Sequence, residues 1–141
     1  MNQQAGQTIY RWKLIEVDTM VMDLILVRHG ETDFNRDSVF RGQMDVRLNA
    51  TGIAMADATA EALKDKVFEA IYSSPLKRAL VTARRIAAPH EIEVRSNFDF
   101  IDISYGVWQG LPETEVKTKW PGLYAKWISK PGWIRFPGGE S

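Results

Sequence analysis

The sequence predicts an α/β fold, a three-layer α/β/α arrangement around a mostly parallel central sheet, and three observations carry that reading. Leu24-Ile25-Leu26-Val27 is a short apolar run with two β-branched residues, the pattern of a strand buried inside a parallel sheet. Strand-like segments then alternate with segments of helical period, which implies βαβ units. Finally, Arg28-His29-Gly30 follows the first strand directly, at the carboxyl end where open α/β sheets place their ligands.

Taken in order, residues 1–21 read as an N-terminal extension with little expected order. Arg11, Lys13, Glu16 and Asp18 interrupt any apolar core of a signal peptide there. The first strand covers about 22–28, and 36–49 form a loop over its carboxyl end. Asn49 or Thr51 caps a helix running to about Lys66, with Ile53, Met55, Ala58, Ala62 and Leu63 as its apolar stripe. A second strand spans 68–73. A second helix runs from about Pro75 to Ala88, with Leu76, Leu80, Ala83, Ile86 and Ala87 inward, and a third strand spans 91–95. Beyond Trp108 the text changes: Trp120, Tyr124, Trp127 and Trp133 cluster among Pro121, Gly122, Pro131 and Gly132. Pro121 suits the first position of a short helix, and the aromatics suit a mini-core that holds this segment together.

Composition excludes several classes. The chain has 141 residues, 45% hydrophobic and 26% charged, an ordinary balance for one globular domain. Its 18 basic and 18 acidic residues cancel, which argues against a nucleic-acid platform or a polybasic membrane contact. No apolar stretch approaches the ~20 residues of a membrane span. The absence of cysteine rules out disulfides and thiolate metal sites, and fits a cytoplasmic protein.

The chemistry concentrates after the first strand. Arg28 offers a planar fork of donors matched to phosphate oxygens. His29 offers a nucleophile with an unperturbed pKa near ~6.5, lowered by neighbouring cations such as Arg28. Gly30 lets the backbone turn tightly and approach an anion closely. A solvated loop with a structural histidine is the competing reading. Arg78 belongs to the basic run Lys77–Arg85, which also reads as the wet side of a helix. Among these residues Arg78 is preferred as a site residue over Arg84 and Arg85. It lies in the first turn after Ser74-Pro75, beside helix N-terminal amides that favour anions.

Four blocks in order resemble the histidine phosphatase superfamily, which includes the cofactor-dependent phosphoglycerate mutases. They are Arg28–Thr32 with Asn35, Arg41-Gly42, Asp45, Leu48 and Thr51-Gly52; Ile71–Ala79 with Thr82-Ala83; Asp102–Gly110; and Pro137–Ser141, the last more usual in the phosphatase branch. The resemblance runs from about Met22, where family members commonly begin, to Ser141. It implies that His29 attacks phosphorus and carries a transient phosphohistidine, with Arg28, Asn35 and Arg78 on the phosphate oxygens. Arg41 and Gly42 would touch substrate, and Asp102 would be the general acid and base. No metal and no cofactor is needed in this scheme, because arginines supply the positive charge. The partner is a small phosphorylated substrate, and the aromatic segment becomes a helical insertion walling its pocket.

Two departures matter. The family usually has glutamate where Asp102 stands, one methylene longer; Asp99 is the nearby alternative acid. The family also has a second active-site histidine on a later strand. The only other histidine here, His90, reads as an exposed loop residue on the opposite side of the sheet. Residues 22–141 are therefore expected to be the N-terminal two-thirds of the domain, with an incomplete sheet and a marginally stable, weakly active chain. The leading function is phosphatase action on small phosphomonoesters. The alternatives are mutase-type phosphoryl transfer and an inert fragment that only binds phosphate ligands. A P-loop enzyme is disfavoured, since no Gly-x-x-x-x-Gly-Lys-Ser/Thr sequence is present.

Overall fold

In the computed structural model, residues 2–4, 7–13 and 23–141 are described. Strands β1 (Asn2–Gln4), β2 (Gln7–Lys13) and β3 (Asp23–Val27) form one antiparallel sheet in that order. A second sheet pairs β4 (Ile71–Ser73) in parallel with β5 (Val94–Ser96). Five helices complete the layout: α1 (Asp33–Arg36), α2 (Ala50–Leu63), α3 (Lys77–Ala87), α4 (Glu113–Lys119) and α5 (Pro121–Ser129). No helix among the described residues is long and apolar enough to cross a membrane.

The α/β architecture stands as expected, with a small parallel sheet that is incomplete in this chain. In the antiparallel sheet Ile9 stands opposite Val27 and Lys13 opposite Asp23, and Thr8, Ile9, Tyr10 and Trp12 of β2 are all good strand formers. The reading of 1–21 as an N-terminal extension falls largely outside the described residues. The expectation of a fully buried first strand changes, because Leu24–Val27 is not covered on both faces. Ile25 and Val27 pack on the helices, whereas Leu24 is 41% and Leu26 47% exposed.

Helices α2 and α3 pair with each other and form the layer under both sheets. Ala60, Leu63 and Ile86 make its core, with Ile25, Val27, Phe68 and Ile71 against it. Asn49 caps α2 through its side-chain oxygen, which accepts from the Gly52 amide at 2.8 Å. The stripe of α2 is Gly52, Ala56, Thr59, Ala60 and Leu63; Ala58 and Ala62, expected inward, are exposed. A glycine and a threonine in the buried face hid this rotation from an apolar count. In α3 the expected Ala83, Ile86 and Ala87 are buried, joined by Arg78 and Thr82. The expected strands at 68–73 and 91–95 are shorter than read. A 3₁₀ turn over Ala88–His90 ends in left-handed Glu91 (φ 55°), so β5 starts only at Val94.

The aromatic segment folds as a mini-core. Phe40, Trp108, Val116, Ile134 and Phe136 are buried together, with Trp120, Tyr124 and Trp127 packed around them. Phe40 meets Tyr105, Trp108 and Trp127 edge-on at 5.1–5.3 Å, geometry that adds to area burial. Trp133, at 77% exposure, stands apart.

Gly52 marks the closest approach between α2 and the turn after β3. A Cβ there would fall 2.0 Å from the Glu31 carbonyl oxygen and 2.6 Å from its nitrogen. Both neighbours are backbone and cannot swing aside. Gly52→Ala is expected to lower stability by about 1–3 kcal/mol despite alanine's better helix propensity. The measure is a reduced urea midpoint at unchanged slope. An unchanged or raised midpoint would refute the close packing.

Candidate active site

The site begins at the end of β3, where the chain must turn sharply between α2 and α3. Gly30 is required there by crowding rather than by a left-handed backbone. A Cβ would sit 2.2 Å from the Gly52 carbonyl oxygen, and Gly30 is not among the positive-φ glycines. The Gly30 amide donates to Thr82 Oγ1 at 3.1 Å, and that hydroxyl donates to the Arg78 carbonyl at 2.8 Å. On the other side, Asn49 Nδ2 donates to Glu31 Oε1 at 2.8 Å, and the Asn49 amide donates to the Glu31 carbonyl at 3.1 Å. The turn is thus bolted to both helices.

His29 takes its orientation from this turn. Its Nδ1 lies 2.7 Å from the Gly30 carbonyl oxygen. A carbonyl only accepts, so Nδ1 carries the hydrogen and Nε2 keeps a lone pair. The imidazole pKa is lowered from 6.5 to about 4, first by burial, with the charges of Arg78, Arg41 and Arg28 adding to it; the Gly30 bond opposes the shift. The neighbouring cations lower it as expected, and burial lowers it more.

Arg78, from the first turn of α3, is only 2% exposed. Its NH1 donates to the Met44 carbonyl at 2.8 Å, and its NH2 donates to the Gly42 carbonyl at 2.7 Å and to Asp102 Oδ2 at 3.0 Å. A guanidinium has five N–H donors, so two remain for an anion. Asp45 supplies the cap that Leu76 lacks: its Oδ1 accepts from the Lys77 amide at 2.7 Å, holding the start of α3. Arg28 is exposed and lies close enough to act on the His29 charge.

Asn35 and Thr32 form a capping box at α1. The Asn35 side-chain oxygen accepts from the Thr32 amide at 3.2 Å and from its hydroxyl at 2.8 Å. That fixes the amide orientation and leaves the Asn35 NH₂ as the unused donor. Asp102 is engaged by Arg78 and by the Ile103 amide, which donates to Oδ1 at 2.9 Å; its side chain is 39% exposed, open to solvent. Asp99 instead sits in an exposed turn bonded to Asn97. The acid beside the arginines is therefore Asp102.

Gly42 is left-handed (φ 50°), and a Cβ there would lie 2.3 Å from Gln109 Oε1. The Gln43 amide donates to that same Oε1 at 2.8 Å. Arg41 is half-buried within this clamped loop and lies in the charge field of Arg78, Arg28, Asp102 and Tyr105. His90 belongs to a different region, and its reading as an exposed loop residue is corrected. It is half-buried at the far end of α3, roughly 18 Å along the helix from Arg78. Its ring stacks edge-on against Phe68 at 4.9 Å.

Some supporting residues carried no signal in the sequence. Thr82 was legible as part of a motif but not as the link between Gly30 and Arg78. The Pro137–Ser141 segment buttresses the acid loop: Ser104's amide donates to Glu140 Oε2 at 2.7 Å, and the Glu140 amide donates to the Ser104 carbonyl at 2.9 Å. Contacts between segments so far apart have no local pattern to read.

The chain resembles several known proteins over most of its length. The family model for the histidine phosphatase superfamily (branch 1) matches residues 24–141. Phosphoserine phosphatase 1 of Hydrogenobacter thermophilus is 37% identical over 121 residues, covering 86% of this chain and 57% of that protein. A mycobacterial glucosyl-3-phosphoglycerate phosphatase complexed with VO3 superposes with a TM-score of 0.75 at 34% identity, covering 80% of this chain and 56% of that one. Phosphoserine phosphatase of Entamoeba histolytica in complex with 3-phosphoglyceric acid gives a TM-score of 0.67 at 35% identity, covering 77% and 52%. The chain spans about half the length of the relatives it matches. A family match over residues 24–141 means that the chain belongs to the histidine phosphatase superfamily, branch 1.

Proposed function

We propose that this protein is a metal-independent phosphatase that hydrolyses small phosphomonoesters through a phosphohistidine on His29. The observation that carries the reading is the Gly30 carbonyl 2.7 Å from His29 Nδ1. It holds the hydrogen on that nitrogen and leaves the Nε2 lone pair for phosphorus. A ring with a pKa of about 4 is neutral, and so nucleophilic, at neutral pH.

In the first step the Nε2 lone pair forms the N–P bond while the ester P–O bond breaks. Asp102 gives its proton to the departing alkoxide. In the second step water attacks phosphorus, Asp102 takes the water proton, the N–P bond breaks, and phosphate leaves. Arg28, the two spare donors of Arg78 and the Asn35 NH₂ supply the preorganised donors on the equatorial oxygens. Arg41 and Gly42 line the approach. The named substrates of the relatives above, phosphoserine and glucosyl-3-phosphoglycerate, are phosphomonoesters of small molecules, which supports the same substrate class here. We place the domain at 22–141 and the protein in the cytoplasm, on its cysteine-free composition.

The nucleophile assignment predicts an acid-labile, base-stable phosphoryl label after brief exposure to a labelled phosphomonoester, absent in His29→Asn. A label that persists in that variant would sink the assignment. Nitrogen-15 NMR of the ring is expected to report a neutral Nδ1–H tautomer at pH 6 with a midpoint near 4. A midpoint at about 6.5, the free value, would remove the electrostatic basis. For Asp102→Asn, turnover of alkyl phosphomonoesters is expected to fall ~10²–10⁴-fold. Phosphoryl transfer from p-nitrophenyl phosphate should fall far less, because nitrophenolate leaves without a proton. Equal losses on both substrates would argue that Asp102 only positions Arg78.

A further inference from the structure

Gln109, half-buried in the acid loop, reaches back to the loop that precedes α2. The two segments run against each other through backbone at Phe40. Its amide donates to the Leu111 carbonyl at 3.0 Å, and its carbonyl accepts from the Gly110 amide at 2.8 Å. Among the described residues no backbone bond joins 41–44 to the acid loop, and the contact passes to one side chain. Gln109 Oε1 accepts from the Gln43 amide at 2.8 Å.

That bond falls on a peptide that Arg78 also uses. The Gly42 carbonyl, at the other end of the Gly42–Gln43 peptide, accepts from the guanidinium at 2.7 Å. In a trans peptide the N–H and C=O point opposite ways, so Gln109 and Arg78 hold one plane at its two poles. Turning the plane breaks both bonds together. Gly42 is left-handed (φ 50°), and a glycine offers little resistance of its own to such a turn. The space is built for this contact as well. A Cβ on residue 42 would lie 2.3 Å from Gln109 Oε1 and 2.8 Å from the Ile103 carbonyl oxygen. Asparagine tolerates a left-handed backbone but does not fit that gap.

The orientation of this plane decides how Arg78 divides its donors. One terminal nitrogen serves both the Gly42 carbonyl and Asp102, and the other serves the Met44 carbonyl. Three of five N–H groups are thus committed, which leaves the Nε–H and one terminal hydrogen for an anion. Arg78 is 2% exposed, so bulk water does not replace a lost acceptor. If the Gly42 carbonyl turns away, a buried donor is left unpaired, and the guanidinium re-aims to satisfy it. The donors offered to a phosphoryl group then move with it.

We propose that Gln109 is a positioning residue for Arg78: by holding the Gly42–Gln43 peptide it keeps the Gly42 carbonyl on the guanidinium and fixes which N–H groups face the phosphoryl oxygens. This rests on the phosphatase reading above, in which Arg78 binds those oxygens, and adds a residue to it.

The test uses the full chain at neutral pH with inorganic phosphate as the probe. Gln109→Met keeps the length of the side chain and removes the acceptor, whereas Gln109→Glu keeps an acceptor oxygen. In Gln109→Met, phosphate affinity by titration calorimetry is expected to fall about 3–10-fold, the range of one net hydrogen bond. The Gln43 amide is expected to exchange hydrogen slowly in the parent and in Gln109→Glu, and fast in Gln109→Met. A third readout is the nitrogen-15 NMR signal of the Arg78 Nε–H, which should shift when phosphate saturates the parent. Read at saturation, that shift is independent of any affinity change brought by the added charge of glutamate. It should shrink in Gln109→Met and return in Gln109→Glu, a pattern that loss of packing alone does not produce. Circular dichroism checks that each variant is folded. Where Gln109→Met does not fold, Gln109→Glu decides: loss of Gln43 protection or of the Arg78 shift in that folded variant overturns the assignment. A folded Gln109→Met with parental phosphate affinity and a parental Arg78 shift also overturns it, while leaving the phosphate site intact. If the parent binds no phosphate, the phosphatase reading fails and this inference with it.

Discussion

One buried guanidinium holds the site together. Arg78 joins three segments that are far apart in sequence: the 42–44 loop through two carbonyls, the acid loop through Asp102, and α3 through its own backbone. The same helix carries Thr82, whose hydroxyl receives the Gly30 amide. His29, Asp102 and the loop that presents Arg41 are therefore referred to a single rigid element. Taking such a charge out of water is costly unless its hydrogen bonds are made, and removing a buried partner commonly costs about 3–5 kcal/mol. The price of assembling this node is met by those acceptors, which the chain must fold to provide.

The electrostatics impose a second constraint that works against stability. Holding the His29 pKa near 4 instead of 6.5 corresponds to on the order of 3 kcal/mol between protonation states. In the unfolded chain the ring takes a proton below about pH 6.5, but in the folded chain it refuses one until about pH 4. The unfolded state thus binds more protons across that window, and stability falls as pH drops through it. Above pH 6.5 the penalty vanishes. A cation-rich surround of His29 is compatible with folding at neutral pH because the ring contributes no charge of its own there.

Much of this was legible in the sequence, and what was not has physical causes. The Arg28–Thr32 turn and the first-turn position of Arg78 follow from local residue types and spacing, whereas Asp102 was implied by the family resemblance. The α2 stripe was misread because Gly52 and Thr59 are buried for reasons of closeness and not of hydrophobicity. The Gly30 requirement was likewise attributed to turn geometry, when the cause is a backbone 2.2 Å from where its Cβ would be. The roles of Thr82, Gln109 and Glu140 are tertiary contacts, invisible without the fold.

The way the two sheets are held explains why helices matter more than strands for this site. β3 delivers His29 and β4 leads into Arg78, yet among the described residues no ladder joins β3 to β4. Both lean on the α2–α3 core through Ile25, Val27 and Ile71. The placement of His29 relative to Arg78 is then set by side-chain bolts, Thr82 to Gly30 and Asn49 to Glu31, and by the close contact of Gly30 with Gly52. Hydrogen bonds of this kind are individually worth about 1 kcal/mol, whereas a ladder is cooperative along its length. Leu24, Leu26 and Tyr72 remain exposed on the strands themselves, at 41%, 47% and 55%. The geometry around His29 and Arg78 is referred to the helices through these bolts and not to the strands.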